Sequence, residues 1–164
     1  MKRIAVGTDR RGEEFARHVV DLLTNADDAE ITALIDGGES GLPECVDYPE
    51  VAWRVASAVA SGEADGGILI SGSGIGMCMS ANKYGGIRAV IAHDEWIVRR
   101  ARVHHDCNML CIPADLIGLP SVQAILDTWL KTGFEGGRHE RRVKKIGMIE
   151  RGEDPAEYAV EGGH

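Results

Sequence analysis

The chain has 164 residues, of which 44% are hydrophobic and 27% charged, and a formal net charge of −8. This is the make-up of one soluble domain able to bury a proper core, and the acidity argues against a nucleic-acid-binding surface as its main business. No apolar run approaches the length needed to span a bilayer, so the expected partners include neither nucleic acid nor membrane.

The N-terminus is basic and then apolar, too short for a signal peptide, and reads as a first strand over residues 4–8. Phe15, Val19, Leu22 and Leu23 then recur at helical spacing, which predicts a helix over 12–24. A second strand follows at 31–35, and a polar loop occupies 36–44. Asp47 is placed to cap the next helix, with Pro49 just inside it; Val51, Ala52, Val55, Ala56 and Val59 share one face, and Gly62 ends it. Residues 68–70 form a third, fully apolar strand and 77–83 a short helix. Residues 87–92 are a fourth strand, His93-Asp94 caps a helix over 95–103, and 108–112 is a fifth strand. A helix over 121–131 buries Val122, Ile125, Leu126, Trp129 and Leu130. Trp53, Trp96 and Trp129 all sit among aliphatics at helical spacing and read as core or dimer contacts.

Strands and helices alternate with short connections. The fold class is therefore α/β, a Rossmann-like three-layer sandwich on a five-stranded parallel sheet. Residues 1–150 form the domain; 151–164, acidic and without periodicity, read as a loose tail or a partner-wrapping arm. Cys45, Cys78, Cys107 and Cys111 contain no C-x-x-C pair, which points to reduced thiols in a cytoplasmic protein and to no metal site.

Ligands of such sheets bind beyond the carboxyl ends of the strands, where Asp9, Ser71 and His93 fall. After the third strand come Gly72, Gly74 and Gly76, interleaved with Ser73 and Ile75 and preceded by Ser71. A strand that ends in glycines and feeds a helix leaves amides pointing outward, which suits an anion. The spacing is not that of a nucleotide loop, since neither G-x-G-x-x-G nor G-x-x-x-x-G-K-[ST] occurs. Near the C-terminus the stretch 134–146 is basic within an acidic protein, and Arg138 and Arg142 lie four apart on one helical face.

These stretches together resemble the type B ribose-5-phosphate isomerase family, which also contains the galactose-6-phosphate isomerase subunits. The likeness runs over about 1–146. It rests on Asp9-x-x-Gly12, Val46-Asp47-Tyr48-Pro49, Ala64-Asp65-x-Gly67-Ile68-Leu69-Ile70, Gly72-Ser73-Gly74-Ile75-Gly76-Met77 and Ser80-Ala81-Asn82-Lys83. Further on it includes Gly86-Ile87-Arg88-Ala89, His93-Asp94, Ala101-Arg102-x-His104-x-Asp106-x-Asn108-x-Leu110-Cys111 and Phe134-x-Gly136-Gly137-Arg138-His139-x-x-Arg142-Val143.

The resemblance implies aldose–ketose isomerisation of a phosphorylated sugar through an enediolate, without metal or organic cofactor. By motif position Asp9 and His104 match the ring-opening pair, and Ser71 and Ser73 stand beside the reacting carbons. The amides of Gly72, Gly74, Ile75 and Gly76 match the anion hole, and Arg138, His139 and Arg142 match phosphate-binding positions. Arg10 and Asn108 join them as substrate contacts. It also implies a homodimer or dimer of dimers with the site shared between subunits.

Three departures stand out. Ser71 occupies the place of a cysteine base, and Met77 that of a glutamate base found in another branch; Ser71 activated by a neighbour is the expected carbon base, with Cys78, Glu44 and Cys45 as the alternatives. Arg10, followed by Arg11, replaces a histidine after Asp9. Asp115 replaces an arginine that helps hold phosphate, a loss that Arg10 or Arg11 can restore. The open alternatives are an isomerase for a tetrose or hexose phosphate or an acidic sugar, and a non-catalytic sugar-phosphate-binding protein.

Overall fold

Alternation of apolar and small residues lets each strand feed two cores at once, because successive side chains point to opposite faces. The computed structural model describes residues 1–36 and 47–158. Its strands are β1 (Lys2–Thr8), β2 (Ala29–Asp36), β3 (Gly66–Ser71), β4 (Ala89–Ile91) and β5 (Met109–Pro113). The helices are α1 (Glu13–Thr24), α2 (Tyr48–Ala60), α3 (Ile75–Ala81), α4 (Glu95–His105), α5 (Leu119–Lys131) and α6 (Arg138–Glu150), and Pro155–Glu157 makes a 3-10 turn. All strand pairings are parallel, in the order β2-β1-β3-β5-β4.

One face of the sheet packs Ile4, Val6, Ile68, Ile70, Leu110 and Ile112 against α1, α4 and α5. The other packs Ala5, Leu69, Met109 and Cys111 against α2 and α3. On that second face α2 rides directly on backbone. A Cβ at Gly7 would meet Val55 Cγ2 at 2.7 Å and Val51 Cγ1 at 2.8 Å, and one at Gly67 would meet Val55 Cγ1 at 2.8 Å. Glycine is required there for close approach.

The expected elements are present, with shifts at their ends. The fourth strand shrinks to Ala89–Ile91 because side-chain amides intercept its lead-in: Arg88 N donates to Asn108 Oδ1 and Ala89 N to Asn82 Oδ1, both at 2.8 Å. α3 starts two residues early, because Gly74 at φ 74° supplies the left-handed turn into it. Asp94 caps α4 as expected, accepting from Ile97 N at 2.8 Å, whereas Asp47 occupies the N-cap of α2 without a side-chain cap bond. The loose-tail expectation is corrected for residues 151–158. Asp154 caps the 3-10 turn, which packs on α6, and Arg151 pairs with Glu153 at 2.8 Å. Of the three tryptophans only Trp129 is core; Trp53 and Trp96 are 58% and 66% exposed. Among the described residues no helix is long and apolar enough to cross a membrane.

Trp129 is fully enclosed, with the Arg102 guanidinium 4.9 Å over its ring. Truncating a buried Trp to Ala costs about 3–5 kcal/mol, so Trp129→Ala is expected to lower the urea midpoint accordingly. The thiols differ sharply. Burial pushes Cys107 up to about 11, and Cys111 is raised by its hydrogen bond to Cys78 and by burial. That same hydrogen bond from Cys111 draws Cys78 below the usual thiol value. Thiolate is the reactive form, so iodoacetamide at pH 8 is expected to label Cys78 well before Cys107 and Cys111, as read by peptide mass mapping.

Candidate active site

The chain leaves β1 outward to β2 and returns to place β3 on the other side of β1, with Thr8 beside Ile70. That reversal is the topological switch point of the sheet, where a crevice opens beyond the strand ends. Asp9 stands immediately after β1, its amide donating to Ile70 O at 3.2 Å. Its Oδ1 accepts the amides of Arg11 and Gly12, each at 3.0 Å, so the carboxylate is fixed by the turn it starts. Gly12 permits this turn to lie on β3, since a Cβ there would meet Thr8 Oγ1 at 2.6 Å and Ile70 O at 2.8 Å.

Ser71 ends β3 and is only 5% exposed. Its Oγ accepts the Gly74 amide at 3.0 Å, and Ser73 Oγ accepts the Ile75 amide at 3.3 Å. The two hydroxyls thus hold the glycine loop in shape. Asp9, Ser71, Gly72, Ser73, Ile75 and Gly76 line one cleft of about 470 Å³, with Met77, Met79, Tyr48, Arg11 and Asp115. Gly72 lies flat under the last two: a Cβ on it would meet Asp115 Oδ2 at 2.7 Å and Arg11 Nε at 2.9 Å.

Asp115 therefore does not present a bare anion to the cleft. Arg11 Nη2 holds its Oδ2 at 2.7 Å, and the Asp115 amide donates to Gly72 O at 2.9 Å. Arg11 is thus one arginine that balances the acid at 115. Arg10 is exposed on the same turn.

The remaining expected residues gather elsewhere. His104 lies in the last turn of α4 and stacks on His139 of α6, with ring centroids 4.2 Å apart and planes 9° from parallel. Arg100 Nη1 lies 3.2 Å from His104 Nε2, and Arg138 Nε donates to His139 Nε2 at 3.4 Å. Partial loss of water pushes His104 below its ordinary value first; His139, Arg100 and His105 add to the fall, and Glu135 opposes it. Arg102 frames this cluster: its Nε donates to Thr132 O at 3.1 Å and its Nη1 to Cys107 O, tying the end of α4 to the segment that leads into α6. No apolar periodicity marks an arginine for that work, and it was not among the expected site residues.

The two groups lie at opposite ends of the sheet. Gly67 pairs with Met109 and Ser71 with Pro113, so four residues of β5 separate the His104 level from the Ser71 level. At ~3.3 Å per strand residue that is at least ~13 Å. One chain does not bring Asp9 and Ser71 to His104, Arg138 and Arg142.

Three expected roles are altered by position. His139 is 3% exposed, enclosed under His104, and is not available as a phosphate ligand. Asn108 sits at the start of β5 with both ends of its amide engaged, Oδ1 by Arg88 N and Nδ2 on Gly86 O at 2.8 Å. It ties β4 to β5 and is not in the cleft. Cys78 turns away from the cleft toward Cys111, Ala89 O and Asn82, which removes it as the carbon base. Glu44 and Cys45 lie outside the described residues. Lys83 is exposed, and Arg88 forms an ion pair with Asp106 at 2.8 Å.

Ligand atoms of His104, Glu135 and His139 lie within 4.8 Å of one another, spacing that a metal ion can use. The donor set does not fit a cation, however. Each Nε2 faces a guanidinium, and rings stacked face to face direct their lone pairs side by side and not to a common point.

The chain is similar to several known proteins. Residues 4–146 match the family described as Ribose/Galactose Isomerase. Ribose-5-phosphate isomerase B of Escherichia coli is 41% identical over 150 residues, 92% of this chain and 97% of that protein. A D-erythrulose-4-phosphate isomerase of Pectobacterium atrosepticum is 35% identical over 92% of this chain and 96% of its own. Among solved structures, ribose-5-phosphate isomerase B of Clostridium thermocellum superposes with a TM-score of 0.82 at 42% identity, covering 92% of this chain and 98% of that one. The type B enzyme of Leishmania infantum gives a TM-score of 0.84 at 36% identity, with 92% and 97% covered. With residues 4–146 matched by the family and relatives 35–42% identical over nine-tenths of its length, the chain belongs to the ribose/galactose isomerase family.

Proposed function

We propose that this sugar-phosphate isomerase interconverts an aldose phosphate and its ketose through an enediolate, with ribose 5-phosphate and ribulose 5-phosphate as the first candidates and tetrose and hexose phosphates next. The observation that carries the reading is the cleft at the β1–β3 switch point, where a fixed carboxylate, a buried serine and a turn of amides face one space. Relatives named for both five-carbon and four-carbon substrates leave the chain length open.

The roles follow from chemistry. Ring opening carries the anomeric hydroxyl proton to the ring oxygen: a neutral His104 takes that proton and hands it on to the ring oxygen, while Asp9 orients the sugar hydroxyl by accepting its hydrogen bond. Ser71 then removes the C2 proton and returns it to C1. A serine hydroxyl needs a base beside it. Of the two carboxylates that line this cleft among the described residues, Asp115 is engaged by Arg11, which leaves Asp9 to accept the Ser71 proton. Of the loop amides expected to bind the anion, those of Gly74 and Ile75 are taken by the Ser71 and Ser73 hydroxyls; those of Gly72 and Gly76 are left to hold the enediolate oxygens, and Arg138 and Arg142 grip the phosphate. Because these two groups are at opposite ends of one sheet, a complete site takes Asp9 and Ser71 from one copy and His104, Arg138 and Arg142 from a second. An isologous dimer supplies two such sites.

Two measurements test this. Across a panel of four-, five- and six-carbon aldose phosphates, solvent deuterium is expected to enter C2 of at least one, and Ser71→Ala to slow that exchange at least tenfold, about 1.4 kcal/mol of barrier. Ligand-induced thermal stabilisation with no exchange in any substrate would mean a binding protein instead. For the shared site, Ser71→Ala and Arg142→Ala are each expected to be nearly inactive alone. Mixed and allowed to exchange subunits, they are expected to recover roughly a quarter of wild-type activity, because half the dimers are hybrids and each hybrid holds one intact site. No recovery on mixing would place both residues in the same chain's site.

A further inference from the structure

Enclosed under His104 is an imidazole that simple packing does not explain. His139 is 3% exposed, and its Nδ1 is buried without a hydrogen-bond partner. Phe or Leu would fill the space without a stranded polar atom, which is a destabilising feature in an interior. What the imidazole offers beyond bulk is a flat face toward His104 and an Nε2 that accepts from Arg138 Nε at 3.4 Å. A guanidinium only donates, so that nitrogen presents its lone pair, and the ring carries its proton on the unpartnered Nδ1.

His104 is treated in the same way. Arg100 Nη1 faces its Nε2 at 3.2 Å, so this ring too presents a lone pair to a guanidinium. Protonating either Nε2 would break that contact and set cation against cation. The groups around the stack are Arg100 and His105 on α4, Glu135 on the segment before α6, and Arg138 on α6. Among the described residues three of these are basic and Glu135 is the acid, its Oε2 3.9 Å from His139 Nε2.

We propose that His139 is a positioning residue with two faces: its ring holds the His104 imidazole flat and uncharged, and its Nε2 holds the Arg138 guanidinium in place for the phosphate. This rests on His104 and Arg138 having the roles given above. It joins the proton-transfer group and the phosphate grip through one buried side chain that touches no substrate. The lowered titration of His104, caused first by loss of water and next by His139, fits a ring kept neutral for proton transfer.

The two faces separate by substitution. His139→Phe keeps a stacking surface and loses the acceptor; His139→Gln keeps a polar partner for Arg138 and loses the ring; His139→Ala loses both. With the full-length protein and the best substrate of the panel, His139→Phe is expected to raise KM about fivefold with kcat within about twofold, and His139→Gln to lower kcat about tenfold with KM within about twofold. His139→Ala is expected to do both. By NMR, the His104 titration is expected to stay low in His139→Phe and to rise toward the ordinary histidine value in His139→Gln and His139→Ala.

Equal rises in KM for Phe and Gln, with kcat unmoved, would make His139 a direct anion contact and overturn the proposal. Lowered melting temperatures with kcat, KM and the His104 titration unchanged would make it packing alone and overturn it equally. The titration needs no substrate. If no sugar phosphate is turned over, the proposed function fails while the stack is still decided by the NMR result.

Discussion

Every strand of this sheet points the same way, and that polarity governs where chemistry is possible. Parallel strands gather their carboxyl ends on one edge, and the helices that follow them run back to the other. Asp9, Ser71 and the glycine loop belong to the first edge because each directly follows a strand. His104 belongs to the second because it lies in the last turn of a returning helix, and α6, packed on α4, shares that location. No local rearrangement of loops bridges the two while the sheet is intact. The proposed division of labour between two copies is thus a consequence of topology before it is a matter of any interface.

Within the group at the strand ends, positions are set by hydrogen bonds to backbone amides and not by side-chain packing. Asp9 is held by the amides of its own turn, and the loop after β3 is held by its own two serines. Charges are balanced locally as well. Arg11 covers Asp115 at the lip of the cleft, which reconciles an acidic residue there with an anionic ligand, and Arg88 covers Asp106 just below His104. Such pairs are partly exposed, so they contribute placement more than stability.

Hydrophobic periodicity is enough to locate these strands and helices, since the spacing of Phe15, Val19 and Leu23 or of Val122, Ile125 and Trp129 records a buried stripe directly. It does not contain the strand order, because the insertion of β5 between β3 and β4 depends on which edges meet. Nor does it show the shortened β4, where two asparagine side chains, Asn82 and Asn108, take backbone bonds that a strand would have used. At the site, Asp9, Ser71 and the glycines are legible as residues that follow strands. Asn108 and His139 are not, since motif position says that a residue stands near a ligand without saying whether its side chain faces outward or is already engaged.

The glycine contacts under α2 make the two sides of the sheet unequal in their tolerance of change. Where α1, α4 and α5 lie, a cushion of large side chains separates helix from strand, and neighbours can repack around an altered volume. Where α2 crosses Gly7 and Gly67 no such cushion exists, and even a methyl group is a wedge between helix axis and sheet. Changes of volume are accordingly easier to absorb in the first layer, and the second acts as the rigid plate on which Tyr48 and the cleft wall keep their height above the strands.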